Sequence, residues 1–246
     1  AKVSFACSAL FLDHVDAINL SAEQQDLLKN VPDPRFRESV RDFMVNQRFR
    51  RDYWVKGARK LNPLEQSEAL GAQRVILIQP RADVSLTVSG AAGESTMREA
   101  IYVPILDELA DHQPKSLEQL AQAVRASGVT FAQLTQAVML LAGSGALALV
   151  QDEATTARAK ASAERFNRHL MDRARGSGEL YHLASPVTGC GVVVHRFQQL
   201  FLLAISRGKK KPDEWARFAW QILGAQGQRI IKEGKSIETP EDNLSE

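Results

Sequence analysis

Cysteine is scarce in this chain. Cys7 and Cys190 are the two among 246 residues, and no Cys-x-x-Cys pair occurs, which excludes a disulfide scaffold and a zinc ribbon and makes a reducing cytoplasm the expected compartment. Long apolar runs are missing too. The longest charge-free apolar stretch, residues 137–150, is shorter than the roughly 20 residues a bilayer span needs and is broken by Gly143-Ser144-Gly145. The first thirteen residues hold one lysine and an apolar run that Asp13 interrupts, a poor signal peptide. The chain does not begin with Met, so the expectation is a piece of a longer protein. Neither sign of charge dominates: 31 Lys and Arg against 29 Asp and Glu leave +2, which argues against a dedicated polyanion binder.

What is present is ordinary globular composition, 44% hydrophobic and 24% charged with fifteen Gly and nine Pro. This length suits one or two domains and a core that hides roughly 70% of the unfolded surface. Ser21-Ala22-Glu23-Gln24 is a capping box that should open a helix to about Asn30. Asp33 as N-cap and Pro34 at the first position then open a second helix, ending near Asn46 with Phe36, Val40, Phe43 and Met44 on one face. From Arg48 the period falls to two, with Phe49, Arg51, Tyr53 and Val55 alternating with Arg50, Asp52, Trp54 and Lys56, as in a strand. Residues 74–79 and 84–88 are β-branched runs expected to complete a small sheet with it.

After residue 92 the rhythm changes. Pro104 is expected to start a helix through Asp111, and the capping boxes Ser116-x-x-Gln119 and Thr130-x-x-Gln133 to open two more. The apolar strand 146–150 would then follow as a wing, giving a winged-helix-like module. Residues 152–175 suit a surface helix with Ala157, Ala161, Phe166 and Leu170 inward. An irregular strand over 180–194 and helices near 195–206 and 212–224 should follow, with fraying past about Gly234. The fold class is therefore α+β and mainly helical: a small sheet module (1–92), a winged-helix-like module (93–151) and a C-terminal helical region (152–246).

Candidate chemistry is thin. Cys190 with His182 or His195 has the elements of a nucleophile and base, but no third orienting group is identifiable. The histidines His14, His112, His169, His182 and His195 form no i, i+4 pair, so neither catalytic nor metal-binding residues are assigned. Residues 126–151 hold no charged side chain. A recognition helix at 131–142 could offer Gln133, Thr135 and Gln136 to bases but lacks the cations that drive counterion release. The basic residues lie earlier. Between Arg35 and Lys60 nine basic residues face three acids, interleaved with Phe36, Phe43, Phe49, Tyr53 and Trp54. That pattern suits an interface hot spot or a single-stranded nucleic acid path, unless the aromatics simply fill a core.

Within that stretch, Arg41-Asp42-Phe43-Met44-Val45-Asn46-Gln47-Arg48-Phe49-Arg50-Arg51-Asp52 resembles the D-F-x-x-N-x-x-F-R signature of the methyltransferase regulatory domain family, over roughly residues 5–90. The segments after it look like the remaining C-terminal parts of bacterial proteins that carry this domain downstream of a class I S-adenosylmethionine-dependent methyltransferase domain, among them proteins similar to rickettsial protein-lysine methyltransferases. The resemblance implies a regulatory or substrate-recognition portion that is not itself catalytic. No glycine-rich turn joins a strand to a helix here, so no cofactor-binding residue is assigned in this chain and S-adenosylmethionine would belong to the associated catalytic domain. The implied partners are a class I methyltransferase domain in cis or in trans, a protein substrate and a second copy of the chain, but no membrane or nucleic acid. Asp42, Asn46, Arg48, Phe49, Arg50 and Trp54 are the expected interface residues. Asp42 and Asn46 would brace the helix-to-strand corner, and Arg48 and Arg50 would fork onto carboxylates of the partner. The competing reading is a winged-helix nucleic-acid-binding transcriptional regulator.

Overall fold

The structure, a computed structural model, describes residues 3–229, 231–232, 235–236 and 239. It is α+β, and the chain divides into two units, Ala1–Val150 and Gln151–Glu246.

The first unit opens with β1 (Ser4–Ser8), a 3-10 turn at Phe11–His14 and the short α1 (Asp16–Asn19). α2 (Ala22–Lys29) starts at the expected capping box: the Gln24 N–H donates to Ser21 Oγ at 3.3 Å and the Ser21 N–H to Gln24 Oε1 at 2.8 Å. α3 (Pro34–Met44) starts at Asp33, whose carboxylate accepts from the N–H groups of Arg35 and Phe36. Its expected apolar face is not inward. Phe36 and Phe43 are exposed, and the buried residue of the helix is Arg41.

β2 is shorter than the alternation suggests, Asp52–Val55, and pairs antiparallel with β1. α4 (Pro63–Gly71), which the sequence reading missed, is opened by an Asn62/Glu65 capping box. β3 (Arg74–Leu77) pairs with neither β2 nor the next strands. β4 (Thr87–Gly90) and β5 (Gly93–Thr96) form their own hairpin, so the single small sheet expected before residue 92 is replaced by separate pairings. α5 (Glu99–Glu108) carries Pro104 in its interior rather than at its start. The helix tolerates it at the cost of one backbone hydrogen bond.

β6 (Lys115–Ser116), α6 (Leu117–Ala123), α7 (Phe131–Gly143) and β7 (Leu147–Leu149) complete the unit, with α6 and α7 opened by the expected capping boxes. β3 is the middle strand of a sheet ordered β6-β3-β7, antiparallel to both neighbours. β3, before residue 92, thus shares one sheet with β6 and β7, after it, and the strand after α7 pairs with β3. Val75 and Leu77 of β3 pack with Leu106 of α5, Leu120 of α6, Leu134 and Leu141 of α7 and Leu147 of β7.

In the second unit α8 (Glu153–Arg173) starts at Asp152. Its inward face is rotated from expectation: Phe166, Ala157 and Ala161 are exposed, while Asn167 and Leu170 turn in. The irregular strand resolves into a hairpin, β8 (His182–Ser185) and β9 (Cys190–Val193). Asn167 clamps it, donating to the Ala184 carbonyl at 2.8 Å and accepting the Ala184 N–H at 2.7 Å. α9 (Arg196–Ser206) and α10 (Pro212–Gly224) pack through Leu200, Ala219 and Leu223. Gln199, fully buried, donates to the carbonyls of Leu180 and Val194. β10 (Ile231–Lys232) and β11 (Lys235–Ser236) pair with each other; apart from residues 235–236 and 239, the segment expected to fray lies outside the described residues.

Among the described residues no single helix is long and apolar enough to cross a membrane. The apolar pair Leu117–Ser127 and Phe131–Gly143 is bent by 115° and supplies Leu117, Leu120, Leu134 and Leu141 to the core.

Candidate functional site

The conspicuous polar arrangement of the chain lies at the corner between α3 and β2. The helix ends in a Schellman motif: Asn46 takes a left-handed conformation (φ 52°), its N–H donates to the Phe43 carbonyl at 3.4 Å, and the Gln47 N–H donates to the Asp42 carbonyl at 2.9 Å. Asn tolerates that conformation better than most side chains, which explains its place here. The turn delivers Arg50 beneath the helix. Its Nε donates to both oxygens of Asp52 at 3.1 Å, and its Nη2 donates to Asp52 at 2.9 Å and to Glu38 at 3.0 Å. Nη1 donates to both oxygens of Asp42, at 3.0 and 3.1 Å. The guanidinium also lies 5.4 Å from the centroid of Phe5 on β1, close enough for a cation–π contact. Hydrogen bonding to Asp52 foremost, with Asp42 and Glu38 adding to it, raises the Arg50 pKa against the opposing effect of burial.

This corrects the expected role of Arg50. Its donors are engaged within the chain, so it is an internal brace and not a fork held out to a partner. Asp42 and Asn46 do brace the corner, one through its carboxylate and one through its backbone. Arg48 is exposed and makes no ion pair among the described residues. Phe49 is 86% and Phe43 90% exposed, and Phe36, Tyr53 and Trp54 are each more than half exposed. Trp54 meets Phe5 edge-on at 5.7 Å. The aromatics of this stretch therefore do not fill a core. The brace holds the backbone that carries them, while their faces stay in water at a cost that a binding partner could recover.

Sequence reasoning treated Glu38 and Asp52 only as charge to subtract. Their spacing was the available signal: Glu38 and Asp42 are four apart on one helix face, and Asp52 stands two residues beyond Arg50. The buried state of Arg41 carried no such signal.

Elsewhere the candidates disperse. Cys190 Sγ lies 3.1 Å from Thr188 Oγ1. His182 is paired across the hairpin with Val193, and His195 stacks on Tyr181, so neither histidine is hydrogen bonded to the thiol. No group of three potential metal ligands exists among the described residues. On α7, Gln133 is used in its capping box and Thr135 Oγ1 donates to the Phe131 carbonyl, which leaves Gln136 exposed.

Residues 1–56 match the family model described as a predicted methyltransferase regulatory domain. The segment containing the Arg50 corner is thus the part of the chain that is similar to the methyltransferase regulatory domain. Nearly the whole chain, 99% of it, is similar to the uncharacterized protein sll1526 of Synechocystis sp. (strain ATCC 27184 / PCC 6803 / Kazusa), at 38% identity over 244 residues that make up 47% of that protein. The structure of PKMT2 from Rickettsia typhi shares the fold, with a TM-score of 0.53 and 15% identity over 99% of this chain and 52% of that one. Its complex with AdoHcy gives the same TM-score at 16% identity, over 92% of this chain and 48% of the other. The chain spans about half the length of these relatives.

Proposed function

We propose that this chain is the regulatory and substrate-recognition portion of a S-adenosylmethionine-dependent methyltransferase acting on protein lysine, and that it docks on a class I methyltransferase domain, in cis or in trans, without a cofactor site of its own. The observation that carries this reading is the pairing of opposites at one corner. A carboxylate-neutralised Arg50 fixes the backbone, and on either side of it Phe43 and Phe49 stand almost wholly in solvent. Exposed aromatics on a rigid mount lose little conformational freedom on binding, which is what an interface anchor needs. The family match covers this segment, and the fold neighbour whose structure contains AdoHcy is twice as long as the region shared with this chain, which leaves room for a cofactor-binding part outside it.

The test mixes this chain with the class I methyltransferase domain encoded with it. Calorimetry should give saturable docking, and lysine methylation of a protein acceptor by that domain should change rate on addition of the chain. S-adenosylmethionine titrated into the chain alone should give no heat of binding. Absence of docking, or micromolar cofactor binding by the chain itself, would sink the reading.

A further inference from the structure

Tyr102 on α5 is 7% exposed, with its ring in the core of the first unit, yet its hydroxyl hydrogen bonds to nothing among the described residues. A phenol in a core ordinarily finds a partner. This hydroxyl is not sealed from water as the idle nitrogens of Arg41 are, so it opens on the cavity of about 360 Å³ that Tyr102 lines. Burial pushes its pKa up, which keeps it an O–H donor at neutral pH.

The other polar side chains on that cavity are idle as well. Arg98, the N-cap of α5, is exposed, does not cap its own helix, and makes no hydrogen bond or ion pair among the described residues. The side chains of Ser95, Thr96 and Gln136 make no hydrogen bond there either. Gln133 has committed its Oε1 to the capping box of α7 and keeps its amide donors. No carboxylate lines the cavity: Glu94 and Glu99 flank its residues in sequence but lie outside its wall. The wall therefore offers one cation and a surplus of donors beside Ile18, Ile101 and Leu140. A ligand that suits it brings acceptors, one negative charge and some apolar surface.

The rim of the cavity is a strand edge. β5, which supplies Ser95 and Thr96, pairs with β4 on one side and with nothing on the other among the described residues. An extended peptide completes such an edge with its own backbone.

We propose that the cavity receives the C-terminal end of a polypeptide, with its free α-carboxylate on Arg98 and the Tyr102 hydroxyl, its last peptide groups on Gln133, Gln136 and the open edge of β5, and its terminal side chain against Ile18, Ile101 and Leu140. A single guanidinium matches a single carboxylate. The site uses none of the exposed aromatics at the α3–β2 corner, so it stands or falls independently of the proposed function.

The test titrates the peptide N-acetyl-Ala-Ala-Leu, with a free carboxylate, into the full chain and follows backbone amide resonances. The same peptide as its C-terminal amide, and sodium acetate, are titrated alongside. The acid should bind with a Kd of about 1 mM or tighter, with shifts concentrated at residues 94–98, 101–102 and 133–136. The amide lacks the charge and acetate lacks the peptide, so each should bind about tenfold more weakly or worse. Arg98→Ala, at an exposed position, should weaken the acid about tenfold and leave the amide unmoved. Tyr102→Phe removes a hydroxyl that bonds to nothing in the chain, so the fold is kept, and it should weaken the acid about threefold. Equal affinity for acid and amide, acetate binding as tightly as the peptide, or acid binding unmoved by Arg98→Ala or by Tyr102→Phe would each overturn the assignment.

Discussion

Arg50 Nη1 donates to both carboxylate oxygens of Asp42, at 3.0 and 3.1 Å, across the corner where α3 gives way to β2. The two residues stand eight apart in sequence, and the left-handed Asn46 between them reverses the chain so that they meet. A helix and a strand are locked at a fixed angle by one side chain, and the aromatic residues on both inherit that rigidity.

Arg50→Ala would leave three clustered carboxylates without their shared cation. Removing one partner of a fully buried pair costs about 3–5 kcal/mol, and since Arg50 keeps about a quarter of its side-chain surface in water, the expected loss is about 2 kcal/mol. Arg50→Lys keeps the charge without the fork and should recover part of it. Urea unfolding of the chain checks both.

Phe49→Ala and Phe43→Ala should act the other way round. Both side chains are almost fully exposed, so unfolding free energy should change by no more than about 0.5 kcal/mol. Docking to the methyltransferase domain should weaken by about thirtyfold, as for a hot-spot aromatic costing about 2 kcal/mol. Calorimetry on the mixed domains separates this from the Arg50 result.

Gly90→Ala places a methyl group against the Ile18 carbonyl, a backbone atom that cannot rotate away. Overpacking of this kind costs about 1–3 kcal/mol, and the loss should appear as a lowered Tm. Gly71→Ala is the control, because its added Cβ would meet Glu118 Cβ at an ordinary 3.7 Å; its effect should be small or stabilising.

Asp152 caps α8 with its carboxylate 2.8 Å from the Thr155 N–H, and that hydrogen bond holds the acid below its ordinary pKa. A carboxyl depressed in the folded state contributes stability that is present above its unfolded value, about 3.9, and is lost as pH falls through its folded value. Asn also caps helices but does not titrate. Asp152→Asn should therefore lose less stability than the parent chain between pH 7 and pH 3, measured by urea unfolding at each pH.

Helix starts were legible because their signals are local. Ser21, Ser116 and Thr130 each hydrogen bond the residue three positions on, as their sequences require, and Asn62-Pro63-Leu64-Glu65 carried the same signal unread. Strand partners were not legible. Nothing near Arg74–Leu77 points to Lys115 or Leu149, because backbone pairing is blind to sequence distance. The inward face of α8 was misplaced for a different reason: alanines occur on every side of that helix and fix no direction, whereas Asn167, a polar residue, is the one that turns in to clamp the hairpin. At the candidate site, charge counting located the basic segment but could not tell Arg50, which is neutralised, from Arg48, which is exposed. The burial of Arg41 was beyond reach altogether, since it follows from tertiary packing and not from the residues beside it in sequence.

The middle position of β3 has a further consequence at the ribosome. Val75 and Leu77 are synthesised early, yet the strands that cover their two edges arrive with Lys115 and then Leu147–Leu149. Until translation has passed Leu149, the nascent chain presents an apolar strand with open edges, the form most readily captured by chaperones or by another copy. Recombination that exchanged the first ninety residues for those of a distant homologue would have to bring matching β6 and β7 with them.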